Sequence, residues 1–410
     1  MREKLINLKL LKISSRAEKA QFSPIRKFVP LLEKIKKKGI KVFGVHIGQP
    51  DLETPKEILK RIRNFKEKIL AYAPSDGLPE IKIAWQKYFQ SVGINLKREE
   101  IIVTTGGSEA ILFALAAIAN PGEEVIVFEP FYTNYNGYAS VAGIKLVPLR
   151  TLAETGFHLP SKKEIEKKIR RKTKGIIICN PNNPTGTVYS FRELKMISEL
   201  AKKYNLFILA DETYREFVYD GEKHFSMMSF PEVRDRVIIL DSISKRFSAC
   251  GARIGCLASK NKKVIEAVIK FAQARLSSPT VEQLAIIPLL KNPKKYLKKI
   301  IPEYKKRRNV VLTEIKKIPE AIAVEPKGAF YLMVKILWLK NSDHFTEWLL
   351  TKFSYQKKTV LIAPGAGFYA SKNLGKDEFR VAFVLAAPKL KKTVQILKKG
   401  LEKYRKNFKL

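Results

Sequence analysis

Acidic residues are scarce in this chain. It has 39 Asp and Glu against 78 Lys and Arg in 410 residues, a formal net charge of +39. Cysteine is nearly absent: Cys179, Cys250 and Cys256 are the only three. So few thiols argue against a disulfide-built scaffold and for a reducing, cytoplasmic compartment. Their spacing fits no zinc pattern, so no metal site is expected. Each lies among apolar or small residues and reads as structural. No uninterrupted apolar run of about 18 residues occurs, so no transmembrane helix is expected. The N-terminus alternates Lys and Arg with short apolar pieces and lacks the apolar core of a secretory signal. Internal repeats and low-complexity linkers are also missing.

The basic excess admits a nucleic-acid or anionic-membrane reading. The basic residues gather in Met1 to Lys41, Lys291 to Arg308 and Lys389 to Leu410. These stretches carry no interleaved aromatic repeats, and they follow helical patterns with apolar partners three and four residues away. The excess therefore reads as lysine spread over solvated faces, with neither nucleic acid nor membrane as a partner.

The hydrophobic fraction is 45%, ordinary for a globular protein. The length exceeds that of most single cores, which predicts two domains. Between Ile101 and Ala258, short β-branched runs alternate with amphipathic ones. Ile101 to Thr104, Val125 to Phe128, Gly175 to Cys179, Leu206 to Ala210 and Val237 to Leu240 read as buried strands. A helix is expected from near Ser108 to Ile118. Another starts at Ser190, with Glu193 completing a capping box, and runs to Tyr204. The pattern predicts an α/β fold: a large domain, 56–290, with a mostly parallel sheet flanked by helices. Beyond about Ala285, Lys-rich helical stretches flank two strand-like pieces, Gly328 to Val334 and Phe379 to Val384. These predict a smaller α+β domain of 291–410, with residues 1–55 packed on it.

Ligands of such sheets sit at the carboxyl ends of the strands, and the polar motifs fall there. Lys245 follows the Val237 to Leu240 run, with Ser242 three residues before it and Arg253 eight after. A partly desolvated lysine beside a fixed cation becomes a nucleophilic amine. Ser242 and Arg253 can both face a phosphate. A lysine able to form a Schiff base beside a phosphate clamp suggests pyridoxal phosphate; taken alone, Ser-x-Ser-Lys also fits a surface lysine at a strand end. Thr104-Thr-Gly-Gly-Ser-Glu109 opens a helix, so Gly107 and Ser108 can hold a phosphate, or can form an ordinary turn. Asn180-Pro-Asn-Asn-Pro-Thr-Gly186 is a proline-stiffened loop that fixes the Asn183 side chain, with a plain turn as the alternative. In Ala210-Asp-Glu-Thr-Tyr214, a buried carboxylate needs a partner such as a pyridinium nitrogen, unless Asp211 merely caps a helix. Tyr214 can reach a ring hydroxyl. Arg380 stands alone among apolar residues, suited to a substrate carboxylate or to an internal salt bridge.

Taken in order, Gly48-Gln-Pro-Asp, Tyr72 with Gly77, Gly106-Gly-Ser, Pro130-Phe-Tyr132, Asn183-Pro-Thr-Gly, Asp211-Glu-Thr-Tyr214, Ser242 to Arg253, and Arg380 resemble the class I aminotransferases of the fold-type I pyridoxal phosphate enzymes. The resemblance runs from about Gly39 to the C-terminus. It implies that Lys245 carries pyridoxal 5'-phosphate and shuttles the substrate Cα proton. It implies that Asp211 pairs with the pyridine nitrogen, that Asn183 and Tyr214 bond the phenolic oxygen, and that Tyr132 stacks on the ring. Gly107, Ser108, Ser242 and Arg253 would hold the phosphate, and Tyr72 would reach the phosphate of the neighbouring subunit of a homodimer. Arg380, helped by the backbone near Gly48, would clamp the substrate α-carboxylate. The basic excess and the Lys-rich N-terminal stretch depart from the usual family pattern.

The expected reaction is ping-pong transfer of an amino group from an L-amino acid to a 2-oxo acid. Phe271 to Pro279 and Ala363 to Tyr369 look most like the aspartate aminotransferase branch, with 2-oxoglutarate as acceptor. A dicarboxylate specialist needs a second cation, for which Arg275 is the candidate. Phe131, Phe330 and Tyr331 leave room for aromatic or neutral donors. A lyase or decarboxylase shares Lys245, Asp211 and Arg253 and is the alternative among enzymes. A nucleic-acid-binding protein on a retired enzyme fold is the alternative outside them.

Overall fold

A computed structural model describes residues 11–410; the basic opening residues 1–10 lie outside it. Among the described residues, thirteen strands occur in chain order: β1 (Lys41–Gly44), β2 (Ile101–Thr104), β3 (Glu124–Glu129), β4 (Lys145–Arg150), β5 (Thr173–Cys179), β6 (Phe207–Asp211), β7 (Val237–Ser242), β8 (Gly255–Ser259), β9 (Ala321–Ala323), β10 (Tyr331–Ile336), β11 (Lys358–Leu361), β12 (Ala363–Pro364) and β13 (Glu378–Ala382). Seven of them form one sheet in the order β2-β8-β7-β6-β5-β3-β4. β7, β6, β5, β3 and β4 run parallel, whereas β8 is antiparallel to both β7 and β2.

The apolar runs are continuous because both faces of this sheet are covered. Successive strand side chains point to opposite faces. Ile126, Ile176, Ile178, Ile208 and Ile239 enter one hydrophobic cluster, and Val125, Val127, Ile177, Leu209 and Ile238 enter another. Each such fully buried side chain contributes about 1.5–3 kcal/mol of hydrophobic stabilisation before entropy is counted. The helix Gly106–Ile118 packs between β7 and β8 on the second face. The helix Phe191–Lys203 has the expected start: the Ser190 hydroxyl accepts from the Glu193 N–H, and the Glu193 carboxylate accepts from the Ser190 N–H.

Four strands, β12-β13-β10-β9, form a separate antiparallel sheet, and β1 pairs with β11 in parallel. The helix Lys294–Ile315 leads into this part, whose cluster joins Val311, Val334, Phe379 and Leu397. The N-terminal segment is tied to the same part: Phe28 and Ile35 pack on Leu350 and Leu361. β10 begins three residues later than the apolar pattern from Gly328 suggests. Ala329 has a left-handed backbone with φ 51°, which interrupts extended geometry. Among the described residues, no helix is long and apolar enough to cross a membrane.

Candidate active site

The carboxyl ends of β5, β6 and β7 lie side by side, because Cys179 is in register with Asp211 and Asp211 with Leu240. They open onto a cavity of about 620 Å³. Lys245, Gly107, Ser108, Tyr132, Asn183, Asp211, Tyr214, Ser242, Arg253, Gly48 and Arg380 all line it. Eleven of the thirteen residues singled out in the sequence are therefore brought together, from parts of the chain as far apart as Gly48 and Arg380.

One end of the cavity is built for an anion. Gly106, Gly107 and Ser108 form the first turn of the Gly106–Ile118 helix, where backbone N–H groups are unpaired and the helix dipole is positive. A Cβ on Gly106 would stand 2.4 Å from a terminal nitrogen of Arg253, and one on Gly107 would stand 3.5 Å from the Ser242 Cβ. At Gly106, where φ is also 74°, only glycine lets the backbone approach so closely; the Gly107 distance is an ordinary contact. Arg253 has a left-handed backbone, φ 55°, and its guanidinium donates to the Cys250 carbonyl at 2.9 Å. The Ser242 hydroxyl caps the short turn carrying Lys245 and bonds the Ser244 hydroxyl at 2.8 Å.

Lys245 Nζ donates to the Gly48 carbonyl at 2.6 Å and lies 3.5 Å from Cys250 Sγ. The lysine on the large sheet thus touches the N-terminal segment across the cavity. Gly48 is constrained in turn, since a Cβ there would fall 1.9 Å from the Tyr331 hydroxyl oxygen. Cys250 was expected to be structural. It instead lines the cavity, because the backbone turn from Cys250 to Ala252 brings it back beside Lys245. Cys179 lines it too, although its thiol is buried.

Asp211 accepts from the Tyr135 hydroxyl at 2.7 Å and from the Thr213 N–H at 3.3 Å. Burial pushes its pKa up, and the Tyr135 bond pulls it back down. No cation among the described residues pairs with this carboxylate. A positively charged partner arriving in the cavity would meet a carboxylate already desolvated and half satisfied. Tyr214 shares a 2.7 Å hydrogen bond with the Tyr331 hydroxyl, and burial raises its pKa well above the ordinary value.

Arg380 is 2% exposed and faces no carboxylate among the described residues. It donates to Asn183 Oδ1 at 2.8 Å and to the His46 carbonyl at 2.6 Å, and its Nε has no partner among the described residues. The guanidinium lies 4.3 Å from the Tyr331 ring centroid and 4.8 Å from that of Phe368. Burial without an ion pair lowers its pKa. An arginine left this way is a standing demand for an anion.

Two expected residues lie elsewhere. Tyr72 is 78% exposed and lines a second cavity of about 500 Å³, together with Arg275. The Arg275 guanidinium is already engaged: it pairs with Glu109 at 3.2 Å and donates to the Ser278 hydroxyl and the Ser75 and Val103 carbonyls. Within one chain it does not reach the Lys245 cavity. Of the aromatic residues, Phe131 and Phe330 are core, and Tyr331 lines the cavity. Sequence reasoning passed over Tyr135, although its position two turns before Gly143 on an aromatic-rich helix start offered no polar signal of its own. It also passed over Arg26, which lines the cavity mouth.

Behind the lysine lies a buried ionic cluster. Asp241 accepts two bonds from one terminal nitrogen of Arg246, at 2.8 and 3.0 Å, and one from Arg215 at 2.9 Å. Arg246 reaches Glu216 at 2.8 Å, and Arg215 reaches Glu212 at 2.6 Å. Asp241 and Arg246 bracket Lys245 in the chain, so the cluster fixes the turn that carries it.

The sequence profile of the family described as "Aminotransferase class I and II" matches residues 40–397. An aspartate aminotransferase of Pyrococcus horikoshii is 32% identical over 88% of this chain and 91% of its own length. An aromatic-amino-acid aminotransferase of Thermococcus litoralis is 32% identical over 95% and 98%. The solved structure of an alanine aminotransferase from Pyrococcus furiosus superimposes with a TM-score of 0.86 at 31% identity, covering 96% of this chain and all of the other. With a profile spanning most of its length and relatives alike from end to end, the chain belongs to the class I and II aminotransferases.

Proposed function

We propose that this enzyme uses pyridoxal 5'-phosphate to move the amino group of L-aspartate to a 2-oxo acid such as 2-oxoglutarate. The donor set fits that cofactor. The anion seat of Gly107, Ser108, Ser242 and Arg253 suits its phosphate, the unpaired Asp211 suits its pyridinium, and Asn183 and Tyr214 suit its phenolic oxygen. When bound, the cofactor supplies the electron sink for carbanion chemistry. Lys245 holds or moves the proton at the substrate Cα, Tyr132 covers the ring, and Arg380 orients the α-carboxylate. The observation that carries this reading is the convergence in one cavity of Lys245, a cation-seeking Asp211 and an anion-seeking Arg380.

The finer proposals follow. Tyr72, exposed beside a cavity of its own, supports a homodimer in which it reaches the neighbouring subunit's phosphate. The free thiols of Cys179, Cys250 and Cys256 support a reducing cytoplasmic compartment. The two cores support a division into 56–290 and 1–55 with 291–410. A second reading, a neutral or aromatic donor, is favoured by the rings of Tyr132, Tyr331 and Phe368 around Arg380.

The test is the absorbance spectrum of the purified protein with the cofactor, before and after L-aspartate. The cofactor band should shift on adding aspartate and return on adding 2-oxoglutarate. Lys245→Ala should abolish turnover while keeping some cofactor. Full activity in that variant would end the assignment. A band unmoved by aspartate but moved by L-alanine or L-phenylalanine would favour the second reading.

A further inference from the structure

The residues lining the cavity include four cations: Arg26, Lys245, Arg253 and Arg380. Three are accounted for, as the reactive amine, the phosphate seat and the α-carboxylate seat. Arg26 is not. Its side chain has no ion pair or hydrogen bond among the described residues, although the neighbouring Lys27 pairs with Asp343. The segment that carries Arg26 is nevertheless firmly seated. A Cβ on Gly367 would fall 2.3 Å from Pro24, so Pro24 rests directly on that glycine. Ile25 packs in a cluster with Ala363, Phe368 and Tyr369, and Phe28 is buried against Leu350 and Leu361. Phe368 is the same ring that underlies the Arg380 guanidinium. One packed unit therefore holds both arginines at one side of the cavity. His46 reports this: its imidazole is lowered to about 4 by burial, then by the charge of Arg380, then by that of Arg26.

We propose that Arg26 seats the distal carboxylate of a dicarboxylate substrate, so that the N-terminal segment sets the preference for aspartate and 2-oxoglutarate over neutral partners. This rests on the aminotransferase reading with a dicarboxylate donor given above. The chemistry requires a second cation at a distance from the first, on the same open cavity, and not neutralised by the protein. Asp211 is the one acid among the described residues that line the cavity, and it is held by Tyr135 and Thr213 at the carboxyl end of β6. Arg275 does not compete for the role within the chain, because it lines a different cavity, pairs with Glu109 and donates to three further acceptors. Arg26 is solvent-exposed, so its charge carries little desolvation cost before substrate arrives, and a bidentate carboxylate would displace only water.

The experiment compares holoenzyme Arg26→Gln and Arg26→Lys with the unaltered enzyme. The readout is kcat/KM for L-aspartate and for L-alanine, with inhibition by succinate as a chemistry-free measure. Loss of a charge-assisted hydrogen bond predicts that the aspartate-to-alanine ratio falls about 10- to 100-fold in Arg26→Gln, chiefly through KM. The inhibition constant for succinate should rise by a similar factor. Arg26→Lys should recover part of both. An unchanged ratio and unchanged succinate inhibition would overturn the proposal. So would a parallel fall for both donors with succinate unaffected, which would make Arg26 a structural residue. If the unaltered enzyme takes alanine but neither aspartate nor succinate, the dicarboxylate reading itself has failed, and this shows before any substitution is made.

Discussion

Replacing Tyr135 with phenylalanine removes a single oxygen and should weaken an entire catalytic linkage. The hydroxyl donates to Asp211 at 2.7 Å, both groups are buried, and the bond from the Thr213 N–H is longer, at 3.3 Å. Burial raises the Asp211 pKa and the Tyr135 bond opposes that rise, so losing the bond makes the carboxylate harder to keep charged. A hydrogen bond to a charged group is worth about 1.5–3 kcal/mol, which corresponds to about a 10- to 150-fold loss in cofactor affinity or in kcat/KM. The assay is a double-mutant cycle of Tyr135→Phe and Asp211→Asn, read by the cofactor dissociation constant and by kcat/KM. Each single change should be costly. Tyr135→Phe should cost little once the charge at 211 is gone, giving a coupling of about 1–3 kcal/mol. Additive effects, to within about 0.5 kcal/mol, would refute the idea that Tyr135 acts through Asp211.

Two further outcomes follow from other parts of the molecule. Arg246→Met should destabilise the fold by about 3–5 kcal/mol in urea unfolding, because Asp241 and Glu216 then keep their burial and lose their shared cation. Unchanged stability would show that the cluster is not a support for the Lys245 turn. His158 is half-exposed and bonds Glu193, which raises its pKa above 6.5. Its contribution is therefore fully present below the unfolded value and is lost as pH rises through the raised folded value. His158→Gln should remove a small, salt-sensitive fall in stability on going from mildly acidic to mildly alkaline pH, and an identical pH profile in the variant would contradict this.

The parts of the fold that were legible in the sequence are those whose cause is local. Ser190 and Glu193 announce their helix because a capping box is made within four residues. The isoleucine-rich runs announce β5 and β7 because a strand buried on both faces has no polar alternation to confuse it. β4 was not legible. It contains Pro148, which forbids a central position, and it is tolerated because β4 lies at the sheet edge and pairs with β3 alone. The site followed the same division. Lys245, Asp211 and Asn183 stand at strand ends in marked motifs. Arg26 has no motif at all: its relevance comes from Pro24 meeting Gly367 and Ile25 meeting Phe368, contacts that no local pattern encodes. Arg275 shows the converse: an arginine in a suggestive stretch gives no sign in the sequence that, within the chain, it pairs with Glu109.

The parallel pairing of β1 with β11 has a consequence for how the protein is made. Lys41 emerges from a ribosome long before Lys358, its partner, has been translated. The wall of the cavity that carries Arg26, and the Gly48 carbonyl that meets Lys245, therefore wait on a strand synthesised more than three hundred residues later. The seven-stranded sheet, complete by Ser259, has no such delay. The anion seat of Gly107, Ser108, Ser242 and Arg253 can thus be in place well before the N-terminal wall of the cavity, and activity should arrive last, nearly with the final helix.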